Sequence, residues 1–436
     1  MNQPQTIRAM EEGAFDALLS ILYPEESLAR CKERYTSLLE RHLERFGQQD
    51  VWIVSSPGRT ELGGNHTDHN HGKVLAASVH LDAVAVASRI AGEGSPRVEL
   101  LSEGFPEIRM DVTDLSPRKE EEGRTEGLVR GVLNGLENRG IAPRGFQAVI
   151  QSRVLPGSGL SSSAAIELLL GSLCNALFAH GVLTPLELAQ IGKEAENLYF
   201  GKPCGLMDQL ACAYGGACSI DFQDLQAPRI ENVPFSLEGY RLFLIDTGGS
   251  HADLTDEYAS IPTEMKQVAH HLGVKVLRDV SEERFLSQVS MLREMVSDRA
   301  ILRALHFYRE NQRVENMKEA LGTGNVESFL ALVRESGLSS WTLLQNCVSY
   351  RDPASQQIPL ALAWAEEFLG PRGAVRVHGG GFAGTVQAYV SEETVESFVS
   401  HMEELFGEGS VIPLQIRPWG ARVISPTALS PAPDAG

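Results

Sequence analysis

Pro156-Gly157-Ser158-Gly159-Leu160-Ser161-Ser162-Ser163-Ala164 places small residues just ahead of a run that is apolar almost all round. A helix starting there leaves its first backbone N–H groups without intrahelical partners and turns the positive end of its dipole outward, which makes an anion site. The glycines permit close backbone approach, and the three hydroxyls of Ser161, Ser162 and Ser163 can meet phosphate oxygens or a metal ion. The segment is not a Walker A loop, because the Gly-Lys-Ser/Thr ending is absent. A serine N-cap following a glycine turn accounts for the same residues without any ligand.

Three more segments concentrate chemistry. Asn65-His66-Thr67-Asp68-His69-Asn70-His71-Gly72 is too polar for a core. Its histidines match no zinc spacing, whereas its donors and acceptors suit a polyhydroxylated ligand, with a solvated polar turn as the bland alternative. Gly201 to Gln209 carries Asp208, twelve residues after Glu196; an acid so placed needs a partner, or else caps a helix begun by Gln209. His378-Gly379-Gly380-Gly381-Phe382-Ala383-Gly384 spells GxGxxG, but a strand-like TVQAYV follows where a dinucleotide site needs a helix. Its HGGG also fits a lipase oxyanion loop, which lacks the GxSxG elbow it requires. A tight turn allowing close approach of another chain segment remains.

Elements must hold these segments. Phe15, Leu18, Leu19, Leu22, Leu28, Leu38, Leu39, Leu43 and Phe46 recur at helical spacing among charged neighbours, which predicts amphipathic helices between Glu11 and Phe46. VWIVSSPG predicts a strand into a turn, and KVLAASVHLDAVAVASRI a pair of buried β runs. Arg118 to Gly127 reads as a solvated, charge-dense loop before a helix. FQAVIQS is a strand leading to the glycine-serine turn, and the helix after the turn is predicted to be buried. LACAYGGACSIDF and RLFLIDTGG predict strands, Thr255 to Leu272 and Arg299 to Leu321 helices, and AVRVHGGGFAGTVQAYV a strand, glycine turn and strand. PLQIRPWGARVI gives a last strand before SPTALSPAPDAG, a tail expected to be disordered. With no long internal repeat, the pattern is that of an α+β protein of two lobes with mixed sheets.

The 436 residues, 43% hydrophobic and 22% charged, supply a core and a hydrated surface for two or three domains. A net charge of −19 has the wrong sign for binding a phosphate backbone or an anionic bilayer, so neither nucleic acid nor membrane is an expected partner. Six cysteines form no CxxC pair and are expected to be reduced. The opening MNQPQTIRAMEEGAFDALL lacks a basic region followed by an apolar stretch, and no run approaches the roughly 18 apolar residues of a membrane span, so a cytoplasmic location is expected.

Taken in order, SSPGRTELGGNHTDHNHG, LPGSGLSSSAAIE, GKPCGLMDQLACAYGG and VHGGGFAGT resemble the successive motifs of the galactokinases, members of the GHMP small-molecule kinases. The likeness runs from about Val51 to Ile424 and takes in LHFYRENQRV and ESGLSSWTLLQNC, similar to helices of the family's second domain. The resemblance implies a two-lobed GHMP-kinase-like fold. Residues 1–225 would carry the sugar loop, the phosphate-binding turn and the catalytic acid, residues 226–424 the glycine-rich turn, and residues 425–436 the tail, with the active site in the cleft between lobes. It further implies transfer of the ATP γ-phosphate to the anomeric hydroxyl of galactose, with ATP on Pro156 to Ala164. Ser163 and Glu196 would hold Mg²⁺, Asp208 would accept the anomeric proton, and Arg59 would lie against Asp208 and the transferring phosphate. Asn65, His66, Asp68 and Tyr258 would lie at the sugar, and Gly379 to Gly381 would bring backbone to the cleft.

The chain departs from the family's Gly-Arg-Val-Asn-Leu-Ile-Gly-Glu-His-Thr-Asp-Tyr-Asn at Thr60, Glu61, Gly63, Asn65 and His69. Asn65 replaces a glutamate expected at the sugar's C6 hydroxyl, and an amide there both donates and accepts but carries no charge. A C6-altered galactose relative or a pentose is therefore the alternative substrate, and a non-catalytic ATP- and sugar-binding sensor the alternative role. The paired arginines that follow the family's tyrosine are absent after Tyr258, and Glu126 to Leu133 holds no tryptophan of the kind found near the family's adenine pocket.

Overall fold

The computed structural model describes residues 1–90, 96–142, 144–154, 157–249 and 254–426. Helices α1 (Gln3–Glu11), α2 (Asp16–Leu22) and α3 (Leu28–Phe46) open the chain, followed by two long strands, β1 (Trp52–Gly63) and β2 (Lys73–Arg89). Then come β3 (Arg97–Ser102), β4 (Ile108–Asp111), α4 (Thr125–Glu137), β5 (Phe146–Ser152), α5 (Ser162–Phe178), α6 (Pro185–Ala195), α7 (Met207–Tyr214), β6 (Ala217–Asp221) and β7 (Arg229–Val233). The remainder comprises β8 (Tyr240–Asp246), α8 (Thr255–His271), α9 (Glu282–Leu292), α10 (Asp298–Gly322), α11 (Val326–Ser339), α12 (Gln357–Leu369), β9 (Ala374–Val377), β10 (Thr385–Ser391), α13 (Val395–Phe406), β11 (Val411–Leu414) and β12 (Arg422–Val423). The architecture is the expected α+β, with one mixed sheet and one antiparallel sheet.

The larger sheet runs β12-β1-β2-β5-β3-β4, with β6 on β2 and β7 on β6. Side chains alternate across it. Val84 and Val86 face α1 to α3 in one buried cluster, while Ala83, Ala85 and Ala87 face α4 to α6 in another. On the same face as Val84 and Val86, Asp82, with no exposed surface, accepts from Arg34 Nη1 at 2.7 Å, Arg417 Nη1 at 3.0 Å and the Tyr23 hydroxyl at 2.6 Å. With the buried Asp82 satisfied in this way, β2 runs 17 residues as one strand rather than the pair of runs expected. The second sheet, β11-β8-β10-β9, has α12 and α13 against one face and α10 and α11 against the other.

Two local expectations are corrected. Pro57-Gly58-Arg59 is not a turn but part of β1, where the pairing with β2 shifts register between Pro57 and Arg59. A bulge tolerates proline in a strand and re-aims the next side chain. Leu210 to Tyr214 is helical within α7, and only Ala217 to Asp221 of that run is a strand. A short apolar run carries no period that separates the two states, and burial of Leu206, Leu210 and Ala213 on one side decides for helix. Arg118 to Gly127 is largely exposed as expected, yet Glu121 is anchored to the buried Arg130 at 2.7 Å. The tail lies outside the described residues from 427 onward. Among the described residues the six cysteines are free, and no helix is long and apolar enough to cross a membrane.

Candidate active site

Gly157 and Gly159 take positive φ of 79° and 73°, and Ser161, at 58°, is a left-handed N-cap of α5. The Ser161 side chain does not cap the helix; its hydroxyl donates to Asp208 Oδ2. The serine-cap reading therefore fails, and the first turn of a 17-residue buried helix keeps its anion-binding character. Leu160 and Ala164 are core residues beneath the turn, Ser158 is buried within it, and Ser162 is half-buried at the helix start. Pro156 lies outside the described residues.

The bulge in β1 brings Arg59 to this turn. Its backbone N–H donates to the Leu160 carbonyl at 3.0 Å, and a Cβ on Gly58 would sit 2.9 Å from the same oxygen, so strand and turn meet backbone to backbone. Arg59 Nε donates to Asp208 Oδ1 at 2.8 Å and Nη1 to the Gly159 carbonyl. The arginine side chain is 7% exposed and the aspartate 27%. Burial alone would raise the Asp208 pKa, but the Arg59 charge and the Ser161 hydroxyl overcome it and hold the carboxyl below its ordinary value, ionised at neutral pH. Asp208 sits in the first turn of α7, which begins at Met207, and is turned to Arg59 rather than to its own helix.

Ser163 Oγ donates to Glu196 Oε1 at 2.7 Å. Glu196, 2% exposed, opens a π-helical turn, Glu196–Phe200, that continues α6. Lys202 Nζ lies 3.2 Å from the same oxygen, and Gln209 Nε2 joins Glu196 Oε2 to Glu167 Oε2 at 2.9 Å each. The buried Glu167 Oε1 and Gln209 Oε1 have no partner there. A hydroxyl and a carboxylate in contact, beside unpartnered buried oxygens, fit a hard cation such as Mg²⁺.

The polar loop closes the other side. Asp68 Oδ1 accepts from the His69 N–H at 2.9 Å, and a Cβ on Gly205 would lie 1.9 Å from Asp68 Oδ2, so the loop abuts the segment entering α7. His66 Nε2 is 3.0 Å from the Gly380 carbonyl. A carbonyl only accepts, so Nε2 carries the hydrogen. Burial, then the neighbouring His69, pushes the His66 pKa down to about 4, leaving a neutral ring with Nδ1 as acceptor. Tyr258 donates to the Gly381 carbonyl at 2.8 Å, and its ring would leave only 2.1 Å to a Cβ on Gly380. Gly380 and Gly381, where a Cβ would lie 2.1 Å from Tyr258 and from the Asn346 carbonyl respectively, are thus required by close contact, whereas Gly379 is favoured by its positive φ of 63°. Asn65 is different: it is 1% exposed, and its amide is occupied within the protein by Glu61, Gly379 and Asn346. Glu126 to Leu133 lies in α4, where Gly127, Gly131 and Gly135 admit close contact with Tyr199, Ala195 and Ile191.

Residues 40–89 match the Galactokinase galactose-binding signature, and residues 127–216 the GHMP kinases N terminal domain. A galactokinase of Glaesserella parasuis is 32% identical over 361 residues, 81% of this chain and 89% of that protein. The chain belongs to the galactokinase family. The galactokinase of Streptomyces coelicolor is also 32% identical, over 84% of this chain and 92% of its own length. The galactokinase of Lactococcus lactis, solved in complex with galactose, superposes with a TM-score of 0.76 at 26% identity, covering 88% of this chain and 97% of that one. A Methanococcus jannaschii mevalonate kinase shares the fold, with a TM-score of 0.60 at 14% identity. The galactokinase signature contains Arg59, Asn65, His66 and Asp68, and the GHMP match contains the turn, Ser163, Glu196 and Asp208. Tyr258 and the glycine turn lie outside both and join the site through contacts made in the fold.

Sequence reasoning missed Gly205, Gln209, Glu167 and Asn346. Gly205 and Gln209 lie in the motif around Asp208, Glu167 in LPGSGLSSSAAIE and Asn346 in ESGLSSWTLLQNC. Their presence was legible, but no spacing rule assigned them a partner.

Proposed function

We propose that this chain is an ATP-dependent galactose 1-kinase. The observation that carries it is the contact of Arg59 and Ser161 with Asp208 at the mouth of the glycine-serine turn, with the polar loop abutting from the other side. Phosphoryl transfer demands positioning and charge neutralisation more than covalent chemistry by the protein. The anomeric oxygen attacks the γ-phosphorus, the bond to the ADP oxygen breaks, and the sugar's proton passes to the Asp208 carboxylate. A carboxylate held at low pKa accepts that proton late, as the hydroxyl becomes acidic in bonding to phosphorus. Arg59 keeps Asp208 ionised and spreads charge on the moving phosphoryl group. Mg²⁺ would neutralise the phosphates, held by Ser163 and Glu196. Asp68, the Nδ1 of His66 and Tyr258 would orient the sugar. In this reading residues 1–225 form the lobe with the loop, turn and acid, and residues 226–424 the lobe with the glycine turn, while β7 and β12 complete the first lobe's sheet.

The engagement of Asn65 inside the protein favours one second reading, a kinase for a sugar altered at C6. Purified chain with ATP and Mg²⁺, tested by ADP release against galactose, galacturonate, fucose, galactosamine derivatives and arabinose, separates the two. Galactose 1-phosphate, identified by its phosphorus resonance, is expected. Turnover of another sugar alone would replace galactose, and binding of both ligands without ADP would make the chain a sensor.

A further inference from the structure

Beneath the polar loop lies a buried cluster that the transfer step does not use. Arg376, with no exposed surface, donates from Nη2 to Glu61 Oε1 at 2.7 Å; its Nε and Nη1 have no partner among the described residues. Asn65 Nδ2 donates to the same Glu61 oxygen at 3.0 Å and to the Gly379 carbonyl at 2.7 Å. Its Oδ1 accepts from Asn346 Nδ2 at 2.8 Å, and its backbone carbonyl accepts from His306 Nε2 at 2.9 Å. Asn346 holds the glycine turn a second time, through Nδ2 to the Gly380 carbonyl at 3.1 Å and through its own carbonyl to the Phe382 N–H at 2.5 Å. Facing a carboxylate and a carbonyl at once, position 65 needs a group with two hydrogens to donate, and an amide supplies them.

We propose that Asn65 is a positioning residue that fastens the glycine turn to the polar loop, with the Glu61–Arg376 pair behind it fixing the direction of its amide. His66 and Tyr258 reach the same turn at Gly380 and Gly381, so a shift of the turn moves both sugar-facing side chains. Only the kinetic part of this inference rests on the galactose 1-kinase reading.

Asn65→Asp keeps the shape and replaces both donated hydrogens by repulsion. The galactose KM is expected to rise about tenfold or more, with the ATP KM within about twofold. Hydrogen–deuterium exchange at residues 378–384 should accelerate in the protein without substrates. Adding Glu61→Gln returns a donor to the pair, and the double variant N65D/E61Q is expected to recover most of both effects. Should N65D not fold, Asn65→Ala removes both donors without adding a charge and is read the same way. A raised galactose KM with unchanged exchange and no recovery in the double variant would make Asn65 a direct ligand and overturn the proposal. Unchanged KM and unchanged exchange would overturn it as well. A wild-type chain inactive on galactose would refute the substrate while the exchange measurement still decides the fastening.

Discussion

Replacing Asp208 by alanine removes the counter-charge of Arg59 and, in the proposed mechanism, the acceptor for the sugar's proton. General-base catalysis is worth on the order of 100-fold to 10,000-fold, or about 3–5 kcal/mol in the barrier. Independently, Arg59 is 7% exposed and would keep the Gly159 carbonyl but lose its carboxylate. Breaking a buried pair from one side costs about 3–5 kcal/mol. The aspartate's 27% exposure admits solvent, so a loss of about 2–3 kcal/mol in folding stability is expected. Arg59→Met in the same chain removes the stranded charge. The double variant should therefore regain at least half of the lost stability while remaining inactive. Coupled ADP release and urea unfolding measure the two effects separately. Turnover of Asp208→Ala within tenfold of wild type would refute its role at the proton. Strictly additive stability losses in the two single variants would show that the pair is not coupled.

Glu196→Gln and Ser163→Ala should each raise the Mg²⁺ concentration for half-maximal rate by about tenfold or more, because each removes a hard donor, with sugar binding in the absence of nucleotide unchanged; an unshifted Mg²⁺ titration excludes them as ligands. Gly380→Ala puts a Cβ 2.1 Å from the Tyr258 ring and should raise the galactose KM, with Tyr258→Ala in the same chain relieving the accompanying loss of thermal stability; a fully stable Gly380→Ala variant would show that the turn has slack. Stability should fall with acid through neutral histidines: buried His42 is depressed to about 4 by burial, and half-buried His66 to about 4 by desolvation and the neighbouring His69, against 6.5 for a free imidazole. The unfolded chain takes the proton first, so stability is full above about pH 6.5 and lost down to about pH 4, at most about 3 kcal/mol per histidine. A urea midpoint flat between pH 7.5 and 4.5, or one whose slope His42→Gln leaves untouched, would contradict this.

Much of the fold was legible because it is encoded locally. The helices from Thr255 and from Arg299 follow from period, the strand-turn-helix around Ser161 from composition, and the strand pair about Gly379 from alternation. The misreadings fall where two local states cost nearly the same. Pro57-Gly58 suits either a turn or a bulge, and Leu210 to Tyr214 either a strand or a helix; pairing with β2 and the core beneath α7 decided each.

The sequence by itself determined which chemical groups are available and in what order, together with the backbone freedom of the turns, since these depend on neighbouring residues alone. Tertiary structure decided who meets whom. Arg59 and Asp208 are 149 positions apart, and the Asn65 amide is aimed by groups at 346 and 379. A buried donor must be satisfied, and which acceptor satisfies it is settled only when packing brings distant segments into competition for it. For that reason the sequence names an asparagine at 65, while packing decides that its amide bonds Glu61, Gly379 and Asn346.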